Sequence, residues 1–152
     1  MYALILASAC LIPKERMDVA RLRPVEVIAI YKLDHGVAIA TDTGDMGYGT
    51  DVAIALEDMR QTSPGVIYLD TAEYLLFNSE ADGEVVRIRK ELKKTIKLCH
   101  TTGGIDLGQA AQYLPTHAKL PCLRRWKIGD KLPILAPENG SIKILENHEN
   151  NS

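Results

Sequence analysis

The chain has 152 residues, a length that suits a single domain. Its composition is 46% apolar and 25% charged, as in ordinary globular proteins, and its low aromatic content means that Ile, Leu, Val and Ala must build the core. The formal net charge of −2 gives no electrostatic indication of a nucleic-acid partner, and no apolar run reaches the ~20 residues of a membrane-spanning helix.

The first apolar run, MYALILASACLI, has two interpretations. The small residues Ala7, Ser8 and Ala9 precede Cys10, as in a bacterial lipobox, in which the Cys becomes the lipidated first residue. Against this, the run is short, it lacks a positively charged n-region, and Ala7 stands where Leu is usual. The alternative is a first core strand with a buried Cys10. Residues 1–10 are therefore predicted to be either a lipoprotein signal or a strand.

The next segments predict two strands and a helix. VEVIAIYKL reads as a strand, and a turn at His35-Gly36 leads into a second strand, so that the two form a hairpin. DVAIALEDMRQ has helical spacing, with Thr50 or Asp51 as its N-cap. Ser63-Pro64-Gly65 ends this helix. Its predicted buried face consists of Val52, Leu56 and Met59.

The second half continues the alternation of strands and helices. VIYLD reads as a strand, and EYLLFN as either another strand or an extension of the same ribbon. SEADGEVVRIRKEL reads as a helix, KKTIKLCH as a strand and DLGQAAQYL as a helix with a capping box at Asp106 and Gln109. KLPILAPENGSIKILE is a predicted hairpin that turns at Glu138-Asn139-Gly140. The two helices have apolar faces that we expect to be buried: Val85, Ile88 and Leu92 in the first, and Leu107, Ala110, Ala111 and Leu114 in the second.

These elements predict one α+β domain over residues 11–146, followed by a polar tail at 147–152. The order β-β-α-β-α-β-α-β-β favours a central sheet with about three helices packed on it. We expect this sheet to contain VEVIAI, VIYLD and TIKLC.

The glycine-rich stretch VAIATDTGDMGYGT admits three interpretations. Its glycines do not follow GxGxxG spacing, and Asp42 and Asp45, with Asp51 directly after the stretch, would repel a nucleotide phosphate where no Lys or Arg is present. Its single DTG would require a dimer to form an aspartic protease, and Asp45 replaces the small residue of that motif. We favour a flexible, exposed connection from strand to helix cap, in which Asp42 has no catalytic geometry.

Other candidates for chemistry are weaker. Cys99 and His100 are adjacent, so in a strand they point to opposite faces and would not share a metal ion. The serines lack a GxSxG setting. The basic run RIRKELKK reads as a solvated helix face. The sequence therefore predicts no catalytic residue, cofactor, metal or nucleotide site.

One resemblance covers most of residues 10–114. The stretch CLIPKERMDVARLRPVEVIAIYKLDHGVAIAT resembles the start of the spore germination receptor C subunits, the Ger(x)C lipoproteins. DVAIALEDMRQTSPGVIYLDTAEYLLFNSEADG and KKTIKLCHTTGGIDLGQAAQYL are similar to the elements that follow in that family. The resemblance implies a non-enzymatic, extracytoplasmic lipoprotein, anchored through Cys10, that works with integral membrane receptor subunits.

A second hypothesis belongs to a different class. The chain would be a soluble cytoplasmic α/β protein, a small enzyme or a mobile-element factor, in which residues 2–12 form a core strand. The two hypotheses differ in what they expect of Cys10, which is lipidated in the first and buried in the second.

Overall fold

The computed structural model describes residues 22–117 and 119–145. They form one mixed sheet of seven strands with three helices packed on it, which confirms the predicted single-domain α+β fold. Cys10, the two interpretations of residues 1–10 and the tail at 147–152 lie outside the described residues.

The seven-stranded sheet has the order β4-β3-β2-β6-β7-β8-β9. Its strands are β2 (Val27–Leu33), β3 (Gly36–Thr41), β4 (Met46–Gly49), β6 (Tyr74–Phe77), β7 (Lys97–Thr101), β8 (Ile134–Glu138) and β9 (Ser141–Leu145). The inner strands β2, β6, β7 and β8 run parallel, while β3, β4 and β9 are joined by antiparallel pairing. The sheet therefore has a parallel centre between two antiparallel margins.

Helices cover both faces of this sheet. The helices are α1 (Val52–Thr62), α2 (Asp82–Arg87) and α3 (Leu107–His117). The buried faces of α1 and α2 pack in one apolar cluster with Ile28, Ile30, Leu75 and Leu98 of the strands. Ala110 and Leu114 of α3 belong to a second cluster with Val27 and Leu76. Both faces of the central strands are therefore buried, which is why β2 and β6 are nearly continuous apolar runs.

The chain crosses between the two faces after α3. Cys122 makes an antiparallel bridge with Lys97 beside the start of β7, and Leu123 and Trp126 then pack in the α1–α2 cluster. β8 begins only where β7 reaches His100. This crossing places residues 123–132 over the same face as α2.

Several predicted elements need correction. VIYLD does not join the main sheet, because β5 (Val66–Tyr68) pairs with β1 (Leu22–Pro24) in a separate parallel pair. The helix predicted over SEADGEVVRIRKEL is broken into α2 and short 3-10 turns on either side. The strand predicted from KKTIKLCH begins only at Lys97.

Candidate functional site

The parallel strands bring polar side chains together at their carboxyl ends. Ile30, Phe77 and His100 lie side by side in β2, β6 and β7, so these three strands end next to one another. This edge is where ligands bind in open α/β sheets. Its polar side chains are Lys32, Asn78, Asp82, Glu84 and His100.

Asn78 uses its amide to extend the pairing of β2 with β6. Its Oδ1 accepts the N–H of Lys32 at 2.8 Å, and its Nδ2 donates to the carbonyl of Lys32 at 3.1 Å. The side chain thus makes both hydrogen bonds that the backbone of another strand residue would make. Asn78 fixes the end of β2 and the position of Lys32.

Glu84 is a buried carboxylate, only 6% exposed, that faces the start of α1. Its Oε2 accepts the N–H of Val52 at 3.0 Å, and its Oε1 lies 3.4 Å from Nζ of Lys32. A negative charge at this position satisfies an N–H that has no partner within the helix and interacts favourably with the helix dipole. Glu84 therefore joins α2, β2 and α1.

Asp51, one of the two residues predicted as the N-cap of α1, is the residue that caps this helix. Its Oδ1 accepts the N–H of Ile54 at 3.0 Å, and its Oδ2 lies 3.7 Å from Nη1 of Arg87. Arg87 Nε also lies 3.8 Å from Glu84 Oε2, so this cation bridges both carboxylates. The start of α1 therefore carries two acids and a shared arginine.

His100 and Asp82 form a shielded pair at the same edge. His100 Nε2 lies 3.2 Å from Oδ1 of Asp82, and the two side chains are 14% and 15% exposed. The imidazole also packs edge-on against Phe77, with ring centroids 4.8 Å apart. A histidine held by a carboxylate can accept and pass a proton, which makes this pair the strongest candidate for acid–base chemistry.

The carboxylates of the glycine-rich stretch stabilise local backbone. Asp42 Oδ1 accepts the N–H groups of Glu26 and Val27 at 3.0 and 3.1 Å. Asp45 is 6% exposed and accepts hydroxyl protons from Thr43 and Ser63. These contacts are those of a turn that ties β3 to β2 and to the end of α1.

The prediction of an exposed connection here was wrong in one respect. Met46–Gly49 form β4, which pairs with β3, and Gly47 is buried against α1. A Cβ at Gly47 would lie 2.1 Å from the carbonyl oxygen of Ala55. Only glycine lets the helix backbone come this close to the strand.

Apolar side chains are exposed beside this outer strand. The edge surface consists of Leu33, Met46, Tyr48 and Ile54, which are 47–56% exposed. Tyr48 lines a cleft of about 530 Å³ with Leu33 and another of about 440 Å³ with Ile54, so these three side chains form a continuous surface. Met46 lies on the same strand as Tyr48. Four acids line the same two clefts, Asp34, Asp51, Glu57 and Asp58, and Lys32 and His35 line the first of them.

The backbone of β4 itself is partly covered by α1. The N–H of Tyr48 donates to Asp58 Oδ2 at 2.9 Å, and the carbonyl of Met46 accepts a hydrogen bond from the Thr62 hydroxyl at 3.4 Å. These contacts protect the sheet edge from pairing with another strand. Any partner at the edge surface must therefore be recognised through side chains.

The structure places Cys99 and His100 on opposite faces, as strand alternation predicted. Cys99 belongs to the cluster under α3, and burial raises the pKa of its thiol to about 12. Its Sγ donates to the carbonyl of Pro133 at 3.1 Å. Cys99 is therefore a protonated core residue, whereas His100 faces Asp82 across the other side.

Sequence reasoning missed the pairing of Asp82 with His100 and the burial of Glu84. Asp82 and His100 are 18 positions apart, and only the register of β6 with β7 brings them together. The available signal was the position of Asp82 at the start of a helix, five residues after the strand that ends at Phe77.

No protein-family model, curated protein or solved structure gives a significant match to the chain. Among the described residues, no helix has the length and apolar character needed to cross a bilayer.

Proposed function

We propose that this chain is a non-enzymatic interaction subunit, anchored through Cys10 at the extracytoplasmic membrane surface, like the germination receptor C subunits that its sequence resembles. The observation that carries the proposal is the edge surface. Four large apolar side chains gathered in one place, rather than scattered, are typical of a protein-contact site.

The edge surface also indicates the charge of the partner. The acids Asp34, Glu57 and Asp58 line the clefts beside the apolar side chains, whereas the one Lys of these clefts, Lys32, pairs with Glu84. A complementary partner therefore presents apolar groups together with Lys or Arg. Because β4 is covered by α1, recognition relies on Tyr48 and Ile54 rather than on strand addition. By the resemblance, this partner is an integral membrane receptor subunit.

The anchor and the contact surface are tested separately. Mass spectrometry of the protein from its native host should find diacylglyceryl-modified Cys10, and Cys10→Ser should move the protein from the membrane fraction to the soluble fraction. An unmodified, soluble wild-type protein in that host would refute the anchor.

For the contact, Tyr48→Ala should abolish co-purification with the receptor subunits in native-host membranes. Tyr68→Ala is the matched control, because Tyr68 is 44% exposed and lies on β5, away from the edge surface. Equal co-purification of the two variants would refute the assignment of the surface.

The carboxyl-edge geometry favours a second candidate, a small α/β enzyme that uses His100 for proton transfer. The shielded His100–Asp82 pair is the observation behind it. Asp82→Asn would then abolish turnover, whereas Glu80→Gln, which changes an exposed acid of the same turn, would not. A metabolite screen read by the thermal stability of wild type and Asp82→Asn would identify a substrate class.

A further inference from the structure

The small net charge conceals a strong separation of charge along the chain. Residues 24–86 contain two Lys or Arg and twelve Asp or Glu. Residues 87–131 contain eleven Lys or Arg and three Asp or Glu. The molecule is therefore acidic in its first half and basic in its second.

The structure gathers part of the basic half around a groove of about 480 Å³. Four cations line this groove, none of its lining residues is acidic, and its apolar lining comes from Val86, Leu92 and Leu123. The cations are Arg89, Lys90, Lys94 and Arg124. Arg89 is held in place because its guanidinium donates to the carbonyl of Leu123 at 2.9 Å.

An isoleucine protrudes from the same segment four residues after the groove. Ile128 is 61% exposed, the highest value among the large apolar side chains of the described residues. It stands in a turn closed by hydrogen bonds in both directions between Lys127 and Asp130, at 2.9 and 3.0 Å. Leu123 and Trp126 are buried in the core, so the turn is attached firmly to the fold.

The basic surface, defined as Lys90, Lys94, Arg124, Arg125, Lys127 and Ile128, therefore combines cations with a protruding apolar group. Within the part of the chain that the structure describes, none of these five cations forms an ion pair. Asp130 is the one acid in the turn, and its Oδ2 accepts the N–H of Lys127.

We propose that the basic surface docks onto an anionic lipid bilayer. Its Lys and Arg side chains contact the lipid phosphates, and Ile128 enters the headgroup–acyl boundary. Juxtamembrane cations and a single inserted apolar side chain each add to binding at such a surface. A bilayer explains the isoleucine, which a bound phosphate ion or a nucleic-acid backbone would leave in water.

Single-stranded nucleic acid is a less suitable ligand, because it binds through cations together with exposed aromatic side chains. Trp126, the only tryptophan of the chain, is 2% exposed. The bilayer contact deepens the proposed function by orienting the anchored domain, and it rests on that function for its compartment. It needs no lipid on Cys10.

The test uses full-length Cys10→Ser protein throughout, so that an acyl anchor does not contribute. We expect co-sedimentation with vesicles of phosphatidylcholine and phosphatidylglycerol in equal amounts, weakening with added salt, and none with pure phosphatidylcholine. The double variant Arg124→Ala/Arg125→Ala should bind about thirtyfold more weakly, the effect of two cations near an anionic surface. Ile128→Ser should lose about tenfold.

Val66→Ser is the matched control, because Val66 is 49% exposed, lies in the acidic half of the molecule and is outside the edge surface. It should bind the mixed vesicles as the parent protein does, and all variants should unfold at the parent temperature. Equal binding to both vesicle types, or an unaffected double variant, would overturn the proposal. Retention of single-stranded oligonucleotide without vesicle binding would overturn it in favour of nucleic acid. The proposal that Cys10 is lipidated does not depend on these vesicle experiments, so the two proposals can fail separately.

Discussion

Glu84 offers the sharpest test of how the carboxyl edge is held together. Its carboxylate is 6% exposed, and Oε2 accepts the N–H of Val52, a residue with no exposed surface. Glu84→Ala would leave that N–H without a partner at the start of α1. A hydrogen bond to a charged group contributes about 1.5–3 kcal/mol, and the helix-dipole interaction adds about 0.3–1 kcal/mol.

We therefore expect Glu84→Ala to lower the free energy of unfolding by about 3 kcal/mol. The ion pair with Lys32 adds little to this value, because Lys32 is 39% exposed. Glu84→Gln keeps an oxygen that can accept the Val52 N–H and loses only the charge, so its loss should be about 1 kcal/mol. Glu80→Ala, at an exposed position nearby, should stay within about 0.5 kcal/mol of the wild type.

Urea unfolding of the four proteins measures these differences as shifts in midpoint at constant slope. The Ala variant should fall well below the Gln variant. Equal losses in the two would show that the hydrogen bond to Val52 contributes nothing, and the assignment of Glu84 as a cap of α1 would be refuted.

Three further predictions follow from buried positions. Leu56→Ala should lower the free energy of unfolding by about 2–5 kcal/mol, because it removes core volume. Ile54→Ala, on the exposed face of the same helix, should change it by less than about 0.5 kcal/mol. Equal losses in urea unfolding would mean that the helix face is misassigned. Gly47→Ala should lower the free energy of unfolding by about 3 kcal/mol, because its Cβ would clash with the backbone of Ala55 and Met59. A Cβ at Gly83 meets nothing within 4 Å, so Gly83→Ala should not destabilise the protein. A higher unfolding temperature for Gly47→Ala than for Gly83→Ala would contradict the close approach of α1 to β4. Because burial raises the pKa of Cys99 from 9.0 to about 12, its stabilising contribution is complete below pH 9.0 and is lost as the pH rises towards 12. Between about pH 8 and 10, the wild type should therefore lose about 1 kcal/mol more than Cys99→Ala, and parallel pH profiles would show that burial does not raise the pKa of this thiol.

Local sequence patterns identified the elements that depend on neighbouring residues. The Asn139-Gly140 turn has φ values of 48° and 81°, as a two-residue hairpin requires, and Asp106 Oδ1 accepts the N–H of Gln109 as the predicted cap. The predicted apolar face of α1 is buried, as are Val85, Ile88 and Leu92 in and after α2 and Ala110 and Leu114 of α3. Each of these features is decided within a few residues along the chain.

The incorrectly predicted elements depend on packing or pairing partners that are distant in sequence. β4 contains two glycines, which have low strand propensity, and it forms because β3 and α1 are there to pack against it. VIYLD looked like a core strand, yet β5 pairs with β1 in a separate pair. The helix predicted over residues 79–92 contains Gly83, Val85, Val86 and Ile88, which are poor helix formers, and only six residues remain α-helical.

The candidate site was beyond the reach of those patterns for the same reason. The His100–Asp82 pair depends on strand register, and Glu84 looked like one acid in a solvated basic helix. The charge separation between residues 24–86 and 87–131 is visible in the sequence, but the two segments largely cancel in the net charge of −2. Counting charge by segment rather than by chain would have revealed the basic half.

The short pairing of β8 with β7 affects the order in which parts of the domain unfold. The β8–β9 hairpin has five residue pairs of its own, yet it joins the main sheet through only two, His100 with Ile134 and Thr101 with Leu135. The Tyr113 hydroxyl adds one hydrogen bond, from the N–H of Ile144. Leu135 and Ile142 of the hairpin also pack in the cluster under α3. The hairpin is thus a cooperative unit with few hydrogen bonds to the rest of the sheet, and we expect it to detach, with loss of its contacts to α3, while β2 and β6 stay paired. Amide exchange in this domain should therefore proceed from the hairpin inwards, and its opening would uncover the strand edge of β7.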